Sequence, residues 1–294
     1  MNTQEKELIA GITVVIPAFN EQRSIRQTLR EVKEALVELD IDSEIIVIDD
    51  CSTDNTLEIL KNSSVQYICH EYNKGYGASL MTGIKYAKYE IVVITDADGT
   101  YPNSRIPDLV KHMEGGGYDM VVGSRTGEKV KVPLLRRIPK WILNRIANYL
   151  ADTKIPDINS GLRVMKKAHI KRFDNILPDG FSFTTTLTLA MLTNNMRVHY
   201  IPIDYYRRQG KSKIRPFYDT LTFFQLIIRT ILYFNPLKIF VPISLSLVVI
   251  AFVVLFGSWF IFGKAMDVTF GVIIMTAVII MSIGMLADLI DKRL

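Results

Sequence analysis

Short apolar runs, each stopped by a polar or acidic cluster, alternate along the first half of this chain with stretches in which apolar residues recur every three or four positions. The runs at 12–16, 44–48, 65–69, 91–95 and 119–122 are predicted strands. Between the first two, Ile25, Leu29, Val32, Leu36 and Leu39 share one face and predict a helix over 21–39. Ser52 or Thr53 can cap a short helix through 57–60, and 75–86 predicts a helix opened by glycines. Strand and helix in alternation argue for an α/β domain with a mostly parallel sheet covered on both faces.

The pattern changes near residue 237. Residues 239–263 form an uncharged run of 25, and residues 268–287 a second of 20, joined by a very short connector at 263–267. About 20 apolar residues in a helix cross a bilayer, so both runs can span as a helical hairpin. Both ends of a hairpin lie on one side. Arg215, Arg229, Lys238, Lys292 and Arg293 flank those ends, whereas Lys264 alone lies in the opposite loop. The positive-inside rule then puts the N-terminal domain and the C-terminus in the cytoplasm, making this a multi-pass protein of the inner (cytoplasmic) membrane. The expected organisation is a catalytic-type domain over 1–214, a juxtamembrane helix over 215–236 and the two spanning helices within 237–294. Two amphipathic stretches suit the bilayer surface. At 133–150, Leu134, Leu135, Ile138, Ile142 and Ile146 recur at helical spacing with Arg136, Arg137, Lys140 and Arg145 between them. At 219–234, Phe223, Phe224, Leu226, Ile227 and Ile231 lead into the first span.

A formal net charge of +5 raises nucleic acid as a partner, but the basic residues cluster around the expected bilayer surface, and the membrane accounts for them better. Residues 1–7 are polar and carry no apolar segment of a signal peptide. The two cysteines, Cys51 and Cys69, suit a reducing compartment, and the four histidines show no metal-ligand spacing, so they read as structural or solvent-facing.

The chemistry concentrates where strands end. Asp96-Ala97-Asp98 directly follows the apolar run at 91–94, at the edge where an open α/β sheet binds its ligand. Two carboxylates one residue apart suit Mg2+ or Mn2+ shared with a diphosphate. Asn20-Glu21 and Asp49-Asp50 end two other strands and converge on the same edge, where like charges favour a compensating cation.

Val14-Val15-Ile16-Pro17-Ala18-Phe19-Asn20-Glu21, Ile48-Asp49-Asp50-Cys51-Ser52-Thr53-Asp54, Asn73-Lys74-Gly75-Tyr76-Gly77 and Asp96-Ala97-Asp98-Gly99 together resemble the family 2 glycosyltransferases, which have the GT-A (Rossmann-like) nucleotide-sugar-binding fold. Gly123-Ser124-Arg125, Asn159-Ser160-Gly161-Leu162-Arg163 and Arg207-Arg208-Gln209-Gly210-Lys211-Ser212-Lys213 narrow the likeness to the polyprenyl-phosphate sugar transferases of the dolichol-phosphate mannose synthase group. The resemblance runs from about residue 12 to 213. It implies that Pro17, Ala18, Asn20, Glu21, Asp49, Asp50, Lys74, Asp96 and Ala97 hold a nucleotide-sugar, and that Asp96 and Asp98 bind the divalent metal. It further implies that Arg125, Ser160, Arg207, Ser212 and Lys213 handle acceptor and phosphate, and that Asp98, Arg125 and Arg163 carry catalysis. Thr100 stands where that group often has a metal-binding Gln, and the Phe-Ser-Phe-Thr-Thr-Thr segment at 181–186 stands where it tends to have a lysine.

The expected activity is inverting, metal-dependent transfer of a hexose-type sugar from a UDP- or GDP-linked donor to undecaprenyl or dolichyl phosphate at the cytoplasmic membrane face. The resemblance also allows a membrane-embedded homo-oligomer, a tetramer among the options. The alternatives are a membrane-bound family 2 enzyme acting on a polysaccharide or another acceptor, and a non-catalytic membrane scaffold. Asp157 is a candidate orienting carboxylate, with capping or turn duty as its other reading.

Overall fold

The structure is a computed structural model that describes residues 9–127, 145, 147–149, 151–180, 182–206, 232 and 235–291. The expected surface helix at 133–150 and the juxtamembrane helix at 215–236 fall largely outside the described residues, as do Arg207, Ser212 and Lys213. The chain divides into two compact units, Met1–Phe223 and Phe224–Leu294.

In the first unit, β1 (Gly11–Ala18), β2 (Asp42–Asp49), β3 (Gln66–Cys69) and β4 (Ile91–Ile94) alternate with α1 (Ile25–Val37), α2 (Thr56–Lys61) and α3 (Tyr76–Tyr86). A 3-10 turn at Asn103–Arg105 runs into α4 (Ile106–Gly116), followed by β5 (Met120–Ser124), β6 (Arg163–Lys166), α5 (Lys167–Lys171), α6 (Phe183–Thr193) and β7 (Val198–Pro202). The strands form one sheet in the order β3-β2-β1-β4-β6-β5-β7. All neighbours are parallel except β6, which runs antiparallel to both β4 and β5. Every residue of β4 and β5, and all of β1 except Pro17, is buried. Burial on both faces is why these strands read as unbroken apolar runs and not as alternating ones. On α1, Ile25, Leu29, Val32 and Leu36 face the same core, with Leu39 packed against its rim.

The α/β class and the mostly parallel sheet hold, with local corrections. Helix α1 begins at Ile25, four residues later than its periodicity suggested, because Ser24 and Ile25 both donate their amides to the Glu21 carbonyl in a turn. Helix α2 begins at Thr56, whose amide donates to Asp54 Oδ1 at 2.9 Å, so neither Ser52 nor Thr53 caps it. Strand β6 is only four residues long with a charge at each end, and β7 ends on Pro202 at the sheet edge, so neither carries a clear periodic signal.

The second unit holds α7 (Leu237–Phe262) and α8 (Asp267–Asp291), both long and apolar enough to cross a membrane. At 1.5 Å per residue, the 26 residues of α7 extend about 39 Å, more than the ~30 Å hydrocarbon core. Gly263 at φ +65° ends α7, its amide donating to the Trp259 carbonyl. Small residues let the helices approach each other: the Ser244 hydroxyl donates to the Ala277 carbonyl at 2.9 Å, and a side chain at Gly284 would strike Phe240.

One close approach in the first unit supplies a test. A Cβ at Gly83 of α3 would overlap Cγ1 of Val15 on β1, a stiff β-branched neighbour. Overpacking costs about 1–3 kcal/mol, against a helix-propensity gain of at most about 1 kcal/mol. Gly83→Ala should therefore lower the melting temperature of the full chain in detergent, and adding Val15→Ala should recover part of the loss. An unchanged melting temperature would mean that α3 does not sit this tightly on β1.

Candidate active site

The loops that leave β1, β2 and β4, with the start of α3, enclose a cleft lined by Pro17, Ala18, Phe19, Glu21, Asp50, Asn73, Gly75, Tyr76 and Asp96–Asp98. A larger groove of about 840 Å³ lies between the end of α1 and the start of β2, but it is at the opposite edge of the sheet from the acidic loops. Ligands of open α/β sheets bind at the carboxyl ends of the strands, so the smaller cleft is the candidate site.

Backbone hydrogen bonding puts these loops in place. Asn20, at φ +57°, ties the first two loops together: its amide donates to Ser52 Oγ at 2.9 Å, and its Oδ1 accepts the Thr53 amide at 2.7 Å. Buried Glu21 donates its amide to Thr56 Oγ1 at 2.9 Å and still lines the cleft. Asp49 accepts the Ser52 amide on Oδ2, while its buried Oδ1 meets no protein partner. Asp50 receives the amides of Lys74 at 2.8 Å and Gly75 at 2.9 Å. The Lys74 ammonium lies 5.4 Å from the centre of the Tyr72 ring. Gly75 takes φ +101°, a left-handed backbone that favours glycine, and a Cβ there would come within 2.6 Å of the Asp179 carbonyl. That carbonyl accepts the amides of Gly77 at 2.7 Å and Ala78 at 3.1 Å.

The paired carboxylates follow β4. Asp96 Oδ1 accepts the Tyr76 hydroxyl at 2.9 Å, and Gly161 packs so closely that a Cβ there would lie 2.8 Å from both carboxylate oxygens. Asp98 Oδ1 accepts both the amide and the hydroxyl of Thr100, at 3.1 and 2.6 Å. The Ala97 carbonyl accepts Thr28 Oγ1 at 3.2 Å, which pins the loop to α1. Burial, with Asp96 nearby, raises the Tyr76 phenol well above its usual range, so it remains a neutral donor. Tyr101 is likewise raised by burial, and its oxygen accepts the Gly161 amide at 2.6 Å.

Beyond β5, Arg125 grips Asp157 with a two-pronged contact, Nε to Oδ2 at 2.7 Å and Nη2 to Oδ1 at 2.8 Å, and also donates to Asn159 Oδ1. Its guanidinium lies 5.2 Å from the Tyr205 ring centre, and Tyr205 packs edge-on against Tyr101. Burial works against its charge, but Tyr101 and the Asp157 contacts outweigh that and hold Arg125 protonated. The amide of Tyr206 donates to the Thr100 carbonyl at 2.9 Å, so the chain leading to Arg207 starts from a point fixed on the Asp98 loop.

Two expected residues do other work. Ser160 is fully buried and its hydroxyl donates to the Gly123 carbonyl. Arg163 is also fully buried: Nε donates to Ser160 O at 2.6 Å, Nη1 to Thr184 O at 3.0 Å and Thr188 Oγ1 at 2.6 Å, and Nη2 to Ile158 O at 3.0 Å. Burial lowers its pKa, and the side chain clamps the loop at 158–160 onto α6 with its charge turned inward. Tyr76, Tyr101, Tyr205 and Asn159 complete the site without having been assigned roles from the sequence. Tyr76 inside the Asn73–Gly77 motif, Tyr101 just after Asp98-Gly99-Thr100 and Asn159 at the head of the 159–163 motif could have been signalled by position, whereas Tyr205 could not.

Among the described residues, no three His, Cys, Asp or Glu side chains gather as a complete metal cage. Asp96 and Asp98 present hard oxygen donors one residue apart at the cleft. That set fits Mg2+ or Mn2+, which usually take one or two carboxylates and complete their shell with phosphate oxygens and water.

A sheet of this order, with its acidic loops at the carboxyl edge, is the GT-A fold of a glycosyltransferase. The match to known structures agrees. A crystal structure of glucosyl-3-phosphoglycerate synthase from Mycobacterium tuberculosis, in complex with Mn2+, UDP-glucose and phosphoglyceric acid, superposes with a TM-score of 0.59 over 76% of this chain and 80% of that one, at 17% identity. The sequence model for glycosyl transferase family 2 matches residues 13–173, and the chain belongs to that family. It is 33% identical over 199 residues to an uncharacterized protein of Methanocaldococcus jannaschii, covering 65% of this chain and 80% of that protein. It is 25% identical over 217 residues to an undecaprenyl-phosphate mannosyltransferase of Micrococcus luteus, covering 69% and 87%. Against a dolichyl-phosphate hexose transferase of Haloferax volcanii it is 27% identical over 207 residues, covering 70% and 87%.

The clamp role of Arg163 has a direct consequence. Arg163→Leu leaves the Ser160 carbonyl without its donor and the carbonyls of Ile158 and Thr184 to share the Thr188 hydroxyl, an unmet buried group costing about 1–3 kcal/mol. The variant should melt well below the wild type, and its folded fraction should keep the wild-type KM for donor. A collapse of kcat with unchanged melting would return Arg163 to the catalytic set.

Proposed function

We propose that this glycosyltransferase moves a hexose-type sugar from a UDP- or GDP-linked donor to a polyprenyl phosphate, undecaprenyl or dolichyl, at the cytoplasmic face of the membrane. The observation that carries the reading is the Asp96/Asp98 pair at the sheet edge of a chain that also holds two helices long enough to cross a bilayer. A water-soluble donor and a lipid-borne acceptor need those two features in one protein. The polyprenyl-phosphate transferases among its relatives support the acceptor class, and the structural neighbour bound to Mn2+ and UDP-glucose supports the donor class and the cation.

The chemistry follows from charge. A polyprenyl phosphate is already an anion at neutral pH, so it requires positioning and no dedicated base. One displacement at the anomeric carbon then inverts that centre and expels the nucleoside diphosphate. Mg2+ or Mn2+ on Asp96 and Asp98 would supply Lewis-acid stabilisation of the leaving diphosphate. Tyr76 orients the Asp96 carboxylate, and Thr100 orients that of Asp98. Arg125, held in plane by Asp157 and Asn159, offers a fixed cationic edge beside Tyr101 and Tyr205. Arg207, Ser212 and Lys213 are assigned to the lipid phosphate, Lys213 as a point charge.

Transfer of radiolabelled sugar from a panel of UDP- and GDP-sugars to undecaprenyl and dolichyl phosphate, with Mn2+ or Mg2+, tests the proposal. One donor should give a chloroform-soluble labelled product; labelled polysaccharide in place of lipid would transfer the assignment to another acceptor. Asp98→Ala should abolish turnover in a protein that melts normally, and EDTA should do the same to the wild type. Full activity in EDTA would remove the cation from the reaction. Lys213→Ala should raise KM for the lipid phosphate at least tenfold, the scale of one lost charge-assisted contact, while nucleotide affinity holds. Equal losses on both substrates would remove Lys213 from the acceptor side.

A further inference from the structure

His70 follows β3 and stands apart from the cleft, yet its ring is buried and bonded at both nitrogens. Nδ1 lies 2.7 Å from Asp50 Oδ1, and Nε2 lies 3.0 Å from Thr82 Oγ1 on α3. The side chains of the pair are 4% and 5% exposed. The His70 amide donates to the Asp49 carbonyl at 2.9 Å and extends the β2–β3 ladder by one rung, which fixes the ring from its backbone too. A carboxylate only accepts, so Nδ1 carries a hydrogen toward Asp50, and Nε2 meets a hydroxyl that can donate to it.

Asp50 is the hinge of the arrangement. The oxygen that faces His70 also accepts the Lys74 amide, the other oxygen accepts the Gly75 amide, and the Asp50 carbonyl accepts Asn73 Nδ2 at 3.2 Å. Asp50, Asn73 and Gly75 all line the cleft, and the next residue, Tyr76, is the one that holds Asp96. From this geometry we propose that His70 is a positioning residue for donor binding: it fixes the Asp50 carboxylate, and through it the turn at 73–75 that shapes the nucleotide side of the cleft. The proposal rests on the reading of that cleft as a nucleotide-sugar site. An equivalent job is done in metal centres by groups that orient a ligand without touching the ion.

The two ring nitrogens give a selective test. Asparagine can present an amide N–H near the position of Nδ1, and glutamine near that of Nε2. Binding of UDP and of GDP, each with Mn2+, is measured by calorimetry on the full chain in detergent, alongside thermal melting. For whichever nucleotide the wild type binds, His70→Gln should weaken affinity about tenfold or more, the scale of a lost hydrogen bond to a charged group. His70→Asn should stay within about threefold of wild type, and Thr82→Val should weaken binding less than His70→Gln. Donor KM should follow the same order while KM for polyprenyl phosphate stays constant. Equal affinity in His70→Gln and wild type, or loss of melting temperature with donor affinity intact, overturns the role of His70 and leaves the cleft assignment standing. Failure of the wild type to bind either nucleotide overturns both. If His70→Gln does not fold, Asp50→Asn takes its place: an amide there cannot accept from His70, Lys74 and Gly75 together, and nucleotide affinity should fall likewise, with unchanged affinity counting against the proposal.

Discussion

Like charges crowded at one edge of the sheet are the constraint around which this molecule is built. Asp49 ends β2 and Asp50 follows it, Asp96 and Asp98 follow β4, and β1 pairs with both strands, so all four acids come to the same edge. Asp49, Asp50 and Asp98 are buried as well, so each needs a donor in place of water. The fold answers with donors placed one by one: the Ser52 amide on Asp49, two amides and an imidazole on Asp50, a phenol on Asp96, and an amide and a hydroxyl on Asp98. The loops have the shapes they have because each must deliver a donor to a stated oxygen. Damage to the site can therefore come from residues that never touch a ligand.

Two arginines show how position within the sheet decides the use of a side chain. Arg125 leaves the end of β5 and faces Asp157, so its charge is balanced by a carboxylate and its planar edge is kept near the cleft. Arg163 starts β6, paired with Ile94 on one side and Val122 on the other, and its charge is met by three main-chain carbonyls and the Thr188 hydroxyl, with no carboxylate among its hydrogen-bond partners in the described residues. The first geometry leaves recognition open, and the second welds a loop to a helix.

Much of this was readable in the residues. Strands β1, β2 and β4 announce themselves because burial on both faces demands continuous β-branched runs, and the long apolar helices because lipid-length segments have few other uses. The acidic strand ends pointed to the edge where the cleft opens. The inward contacts of Arg163 were not legible because main-chain carbonyls carry no sequence signature, and its strand is too short to show a period. The contact of Ser160 was hidden for the same reason, its partner being the carbonyl of Gly123. His70 lacked a partner at metal spacing, and its bond to Asp50 spans 20 residues through the pairing of β2 with β3, which local pattern does not reveal.

The seat that Asp179 takes on α3 changes how negative charge must be handled nearby. The first turn of a helix ordinarily offers bare amides and a positive dipole end, a ready cradle for a phosphate. Here Gly77 and Ala78 give those amides to a peptide oxygen of the same chain, so the cradle is shut from within. A pyrophosphate arriving in the cleft would then have to find its counter-charge in something other than fixed backbone dipoles. Mg2+ or Mn2+ held by Asp96 and Asp98 would meet that need.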